Sequence, residues 1–121
     1  MWTLWFCFGV MGGDMQPQGQ VQVLINMIDF GMDVQQAGSA PRLYHVGSAE
    51  PTGTPADPDG GTVHLEPGFK PAVVADLAAR GHKVERSDFA WGGYQGIRID
   101  HDNGCLHGGS EIRNDGCAAG Y

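Results

Sequence analysis

The 121 residues suffice for one small domain at most. A formal charge of −7 argues against a basic nucleic-acid footprint and against attraction to anionic lipid. Twenty glycines point to tight turns and close backbone approaches, and away from a plain helical bundle.

The chain opens on MWTLWFCFGV. The segment has no basic leader and is too short to span a bilayer, and no small-residue cleavage site follows it. It reads as a strand. Trp2, Leu4, Phe6, Phe8 and Val10 alternate with Thr3, Trp5, Cys7 and Gly9. Both sets are largely apolar, so the strand should be covered on both faces. Gly12, Gly13 and Asp14 end it. Pro17 and Gly19 lead into a helix on which Val21, Leu24, Ile25 and Ile28 follow i, i+3, i+4, i+7 spacing. Val23, Met27 and Phe30 flank that face, so the helix is expected to be mostly buried. Gly31 is its terminator.

Asp33 and Gln36 have the spacing of a capping box for a short helix ending near Gly38, and Pro41 forbids its simple continuation. Arg42 to Val46 reads as a strand. Residues 47–61 hold three prolines and four glycines and read as a surface loop. Thr62 to Glu66 is a strand with Val63 and Leu65 on one face. Pro71 at a first-turn position and Gly81 past the end of PAVVADLAAR frame another helix. Lys83 to Arg86 reads as a short strand and Gly93 to Asp100 as a clearer one. Asp102-Asn103-Gly104 signals a hairpin turn into a partner strand, Cys105 to Gly108. This order predicts a layered α/β (α+β) fold, with helices flanking a mixed, partly antiparallel sheet.

Few residues declare chemistry. Two adjacent glycines after a buried strand can present backbone N–H groups to an oxyanion. They can equally cradle a phosphate at a helix start, or simply turn the chain. Cys7, Cys105 and Cys117 form no C-x-x-C pair and read as small buried or neutral thiols, with a single bridge between two of them as the alternative. His45, His64, His82, His101 and His107 share no ligand spacing, so neither a metal nor a cofactor is expected. Arg113 and Asp115 read as an internal ion pair.

Several segments taken together resemble the C-terminal part of the small subunit of γ-glutamyltransferases, also called γ-glutamyltranspeptidases or glutathione hydrolases. They are FGVMGGDMQPQG at 8–19, NMIDFGMDVQQA at 26–37, APR at 40–42, GGYQGI at 92–97 and the ending GGSEIRNDGCAAGY at 108–121. The resemblance implies that residues 1–121 are a single partial domain, a portion of an αββα N-terminal-nucleophile hydrolase sandwich. It implies an enzyme that frees a threonine at a new N-terminus by self-cleavage. That threonine takes a γ-glutamyl group as an acyl-enzyme and passes it to water or an amine.

On this resemblance Gly12 and Gly13 supply the oxyanion-hole N–H groups. Substrates would be γ-glutamyl compounds such as glutathione. The partners would be an upstream small-subunit segment and a large subunit, with no nucleic acid and no membrane segment. Thr3, Thr52, Thr54 and Thr62 lack the family's processing context, so the nucleophile is expected upstream and the chain alone is expected to be inactive. Gln20 stands where relatives often have histidine, and Glu111-Ile112 where they have Asp-Pro. The alternative is a truncated, non-catalytic binding or structural module. Family members are often periplasmic or extracellular, and no segment of this chain assigns a compartment.

Overall fold

The computed structural model describes residues 1–49 and 53–120. Residues 50–52 of the predicted loop and Tyr121 of the last motif lie outside the described residues. Among the described residues nine elements follow in order: β1 (Phe6–Met11), α1 (Met15–Ile28), α2 (Val34–Ser39), β2 (Leu43–Val46), β3 (Thr62–Leu65), α3 (Pro71–Ala79), β4 (Val84–Arg86), β5 (Gly93–Asp100) and β6 (Cys105–Ser110). They fall into two compact units, Met1–Ala40 with Trp91–Tyr121, and Pro41–Ala90. The α/β class with flanking helices is therefore observed. The strands, however, form two three-stranded sheets rather than one.

In the first unit β1, β5 and β6 make an antiparallel sheet in that order. Val10 lies opposite Tyr94 and Phe8 opposite Gly96, so Phe6, Phe8, Val10 and Tyr94 share one face. This face meets α1 and α2 in a core of Val10, Val23, Met27, Val34, Ala37 and Tyr94. Tyr94 is fully buried, and its hydroxyl donates to Val34 O at 2.9 Å. Its ring lies against Gly38, where an added Cβ would sit 2.1 Å from the ring, so only glycine lets α2 come this close.

Both β1 and α1 depart from expectation. The strand starts at Phe6, and Trp2 and Leu4 before it are exposed. The second face of the sheet does carry apolar side chains, but they are open: Cys7, Met11, Ile97 and Leu106 are all exposed. Helix α1 begins at Met15 and takes in Pro17, tolerated in a first turn where its missing N–H would have no intrahelical partner.

Its buried line is Met15, Gly19, Val23 and Met27, whereas Val21, Ile25 and Ile28 of the predicted face are exposed. The reason is Gly19. A Cβ there would come within 2.8 Å of Val10 Cγ1, so the bare backbone lets this side of the helix press onto β1. Apolar periodicity marked two candidate faces, and the close approach selected the less obvious one.

The capping box is present as predicted. Asp33 accepts from Gln36 N at 2.7 Å, and Asp33 N donates to Gln36 Oε1 at 3.0 Å. Gly31 (φ +66°) ends α1, and Met32 N–H donates back to Asn26 O. The cysteines depart from expectation: Cys7, Cys105 and Cys117 are free and exposed.

In the second unit β2 and β3 are antiparallel, and β4 joins β3 in parallel after α3. Pro71 occupies the first turn of α3 and Gly81 follows it with φ +95°, as predicted. Glu66, just past β3, is buried. It accepts from Arg42 N at 2.8 Å and returns its own N–H to Arg42 O, which joins the start of β2 to the end of β3.

Candidate functional site

The Gly12-Gly13 loop joins β1 to α1. Gly12 has φ +125° and Gly13 φ +57°, both in the region that side chains disfavour. A Cβ on Gly12 would meet Gly92 Cα at 3.2 Å and Met15 Cβ at 3.3 Å, whereas Gly13 has nothing within 4 Å. The loop turns its carbonyls inward: Gly12 O accepts from Met15 N at 3.1 Å and Gly13 O from Gln16 N at 3.0 Å. These bonds satisfy the first two donors of α1, and Pro17 has none. Gly12 and Gly13 are exposed residues, and neither N–H has an intramolecular acceptor among the described residues. Asp14, in the N-cap position, makes no side-chain capping bond. The result is an exposed glycine pair, with no internal acceptor for its N–H groups, at the positive end of a 14-residue helix.

A second polar centre is buried, and sequence reading paired its residues wrongly. Arg113 bonds Glu111, with Nη1 at 2.8 Å from Oε1, and not Asp115, which is exposed. Glu111 also accepts from Tyr94 N at 2.6 Å, Ile112 N at 2.9 Å and Arg113 N at 3.0 Å. The guanidinium continues to Gly38 O at 3.0 Å and Ala40 O at 2.8 Å, the carbonyls at the end of α2. One carboxylate and one guanidinium thus lock β5, the C-terminal segment and α2 together. Arg113 stands two residues from an acid on either side, so spacing could not choose between them. Burial of Glu111 and three backbone N–H groups aimed at its carboxylate made the choice.

The third centre is at the β5–β6 hairpin. Asp100 Oδ1 accepts from Asp102 N and Asn103 N, and Oδ2 from Asn103 Nδ2. The Asn103 side-chain amide, followed by the Asn103 backbone N–H, holds the Asp100 carboxyl below its ordinary 3.8, at about 2. His107 and Arg98 add to this.

The mixed α/β fold with two small sheets is the one seen in solved gamma-glutamyltranspeptidases, which are N-terminal-nucleophile hydrolases. The chain belongs to the gamma-glutamyltranspeptidase family, whose model matches residues 3–121. It is 37% identical over 116 residues to the oxamate amidohydrolase proenzyme of Klebsiella pneumoniae, covering 94% of this chain and 21% of that protein. It is 34% identical over 118 residues to the glutathione hydrolase proenzyme of Escherichia coli, covering 97% of this chain and 18% of that protein.

Among solved structures, a cephalosporin acylase from Bacillus halodurans superposes with a TM-score of 0.78 at 40% identity, over 94% of this chain and 19% of the other. The gamma-glutamyltranspeptidase of Pseudomonas nitroreducens superposes with a TM-score of 0.76 at 23% identity, over 97% of this chain and 55% of the other. The chain spans about a fifth of the length of these curated relatives. No helix among the described residues is long and apolar enough to cross a membrane.

Proposed function

We propose that this chain is the oxyanion-stabilising portion of an N-terminal-nucleophile acyltransferase that moves a γ-glutamyl group to water or to an acceptor amine. The observation that carries this reading is the Gly12-Gly13 loop, whose carbonyls bond inward while both N–H groups stay available at the start of α1. The attacking threonine and the rest of the substrate cleft come from parts of the protein outside this chain. The threonine Oγ adds to the amide carbonyl and its proton passes to the N-terminal amine. The carbonyl π electrons move onto oxygen, where the two N–H groups meet the developing charge. Collapse expels the amine with a proton and leaves a threonine ester, which water or a second amine opens by the reverse steps. Support for a larger assembly comes from the exposed apolar face of α1 and the open face of the first sheet, both rich in side chains that a complete protein would bury.

The test uses the full-length, self-processed protein and a chromogenic γ-glutamyl amide. Gly13→Pro removes one donor, and kcat should fall about 10²–10³-fold, or about 2.7–4 kcal/mol of barrier. Gly13→Ala is the control. It keeps the N–H and meets nothing within 4 Å, though its φ of +57° strains the loop. It should retain most of kcat. Cleavage of the precursor is followed on a gel, so that failed processing is not read as failed chemistry. A processed Gly13→Pro enzyme with near-normal kcat would return the glycines to the role of a turn.

A further inference from the structure

The β5–β6 hairpin brings together three side chains that chain spacing keeps apart. Asp100 and Cys105 are cross-strand partners, as are Arg98 and His107. Residues two apart on a strand share a face, so Asp100, Cys105 and His107 project from one side of the ribbon. Their donor atoms converge. Cys105 Sγ lies 3.5 Å from His107 Nε2, and His107 Nε2 lies 3.5 Å from Asp100 Oδ2. All three ligand atoms fall within 4.8 Å of one another.

We propose that Asp100, Cys105 and His107 form a binding site for a zinc-like divalent transition metal. Three observations support it. First, the distances fit. With Zn–S near 2.3 Å and Zn–N and Zn–O near 2.0 Å, a tetrahedral ion sets neighbouring ligands about 3.3–3.6 Å apart. The two separations from His107, 3.5 Å each, match that edge, and the third, Cys105 to Asp100, lies within 4.8 Å.

Second, the donor set fits. A thiolate, an imidazole and a carboxylate suit a borderline ion such as Zn²⁺ far better than Mg²⁺ or Ca²⁺. The thiolate and carboxylate also balance its two charges.

Third, the carboxylate is held from behind. The Asp102 and Asn103 N–H groups fix Oδ1, the support a metal-ligating carboxylate needs. Asn103 Nδ2 and Arg98 also contact Oδ2 and must yield one of its lone pairs. Solvent reaches the cluster, since Cys105 and His107 are both exposed. His107 and Arg98 border a cavity of about 610 Å³ with Trp5, Met27 and Met32. A water or an exogenous ligand from solvent would complete the tetrahedron.

Arg98 makes the inference specific. Its Nη2 lies 3.5 Å from Asp100 Oδ2 and competes with any incoming cation. A hairpin that merely needs its ion pair would suffer from the loss of Arg98, whereas a metal site would gain from it.

The experiment is titration of the full, metal-stripped protein with Co²⁺, which reports a bound thiolate through a sulfur-to-cobalt charge-transfer band. One equivalent should saturate the band, and Zn²⁺ should displace the cobalt and bleach it. Cys105→Ser should abolish the band, and His107→Ala and Asp100→Asn should each weaken binding at least about tenfold. Arg98→Gln should tighten it. Replacing the other exposed thiols, Cys7→Ser with Cys117→Ser, should leave the band intact, and circular dichroism checks that each variant is folded. A band that survives Cys105→Ser, or no stoichiometric band in the folded wild-type protein, would overturn the proposal. Cobalt binding that weakens in Arg98→Gln would also count against it.

Discussion

Strand β5 has a carboxylate–guanidinium pair near each end. At its start, Glu111 accepts from Tyr94 N–H and bonds Arg113, and the two side chains are 1% and 8% exposed. At its end, Asp100 stands 3.5 Å from Arg98, and these side chains are 14% and 36% exposed. The buried pair has every Glu111 oxygen engaged and runs on into the carbonyls that close α2. The outer pair is loose, and its carboxylate is fixed by the hairpin turn rather than by the arginine. Burial makes the first pair a lock: with few alternatives to each other, neither group can leave without stranding its partner. Solvent makes the second adjustable, because water or another cation can replace the arginine at little cost.

The largest effect should follow from breaking the lock. Arg113→Met leaves the Glu111 carboxylate buried without its cation, and should destabilise the protein by about 3–5 kcal/mol. The double variant Glu111→Gln with Arg113→Met removes the stranded charge and should recover part of that loss. Denaturant midpoints of the full protein measure both. If Arg113→Met cost no more than Arg98→Gln, the contrast between the two ends would fail.

A smaller effect tests the element that the lock holds. Asp33→Ala removes the carboxylate that accepts from Gln36 N–H, and half of the capping box with it. The expected loss is about 0.5–2 kcal/mol. Asp33→Asn keeps an acceptor and should lose less. Equal losses for alanine and asparagine would show that the cap does not carry the stability of α2.

These features differ in how far the sequence announced them, and the reason is range. The Asp33–Gln36 box, the Pro71 and Gly81 boundaries and the turn at Asp102-Asn103-Gly104 are each set by residues within a few positions of each other. Their chemistry is local, so the sequence displays it. The Gly12-Gly13 turn was legible for the same reason. The buried face of α1 was not, because it depends on Gly19 meeting Val10 of another element. The partner of Arg113 depends on which acid the backbone of β5 and the closing turn draws inward. The Asp100, Cys105 and His107 cluster needs the register of β5 against β6, which no spacing rule along one strand contains. Family motifs singled out the glycine loop, yet gave no hint of the hairpin cluster.

The outer end of β5 supports the smallest and most local prediction, a pH window. Asp100 titrates at about 2 in the folded protein and near its ordinary 3.8 when unfolded. A depressed carboxyl stabilises the fold above the unfolded value, and that contribution is lost as pH falls through the folded one. The stability difference between wild type and Asp100→Asn should therefore be flat above about pH 4 and shrink toward pH 2.

Asn103 is the largest cause of the depression, through its side-chain amide and then its backbone N–H. Asn103→Ala removes the first and keeps the second. Its Asp100 should titrate between the two values, and the window should narrow from below. Carboxyl-carbon NMR reads the midpoint directly. If the midpoint stayed at about 2 in Asn103→Ala, the side-chain amide would not be the main hold, which would pass to the Asn103 backbone N–H with His107 and Arg98.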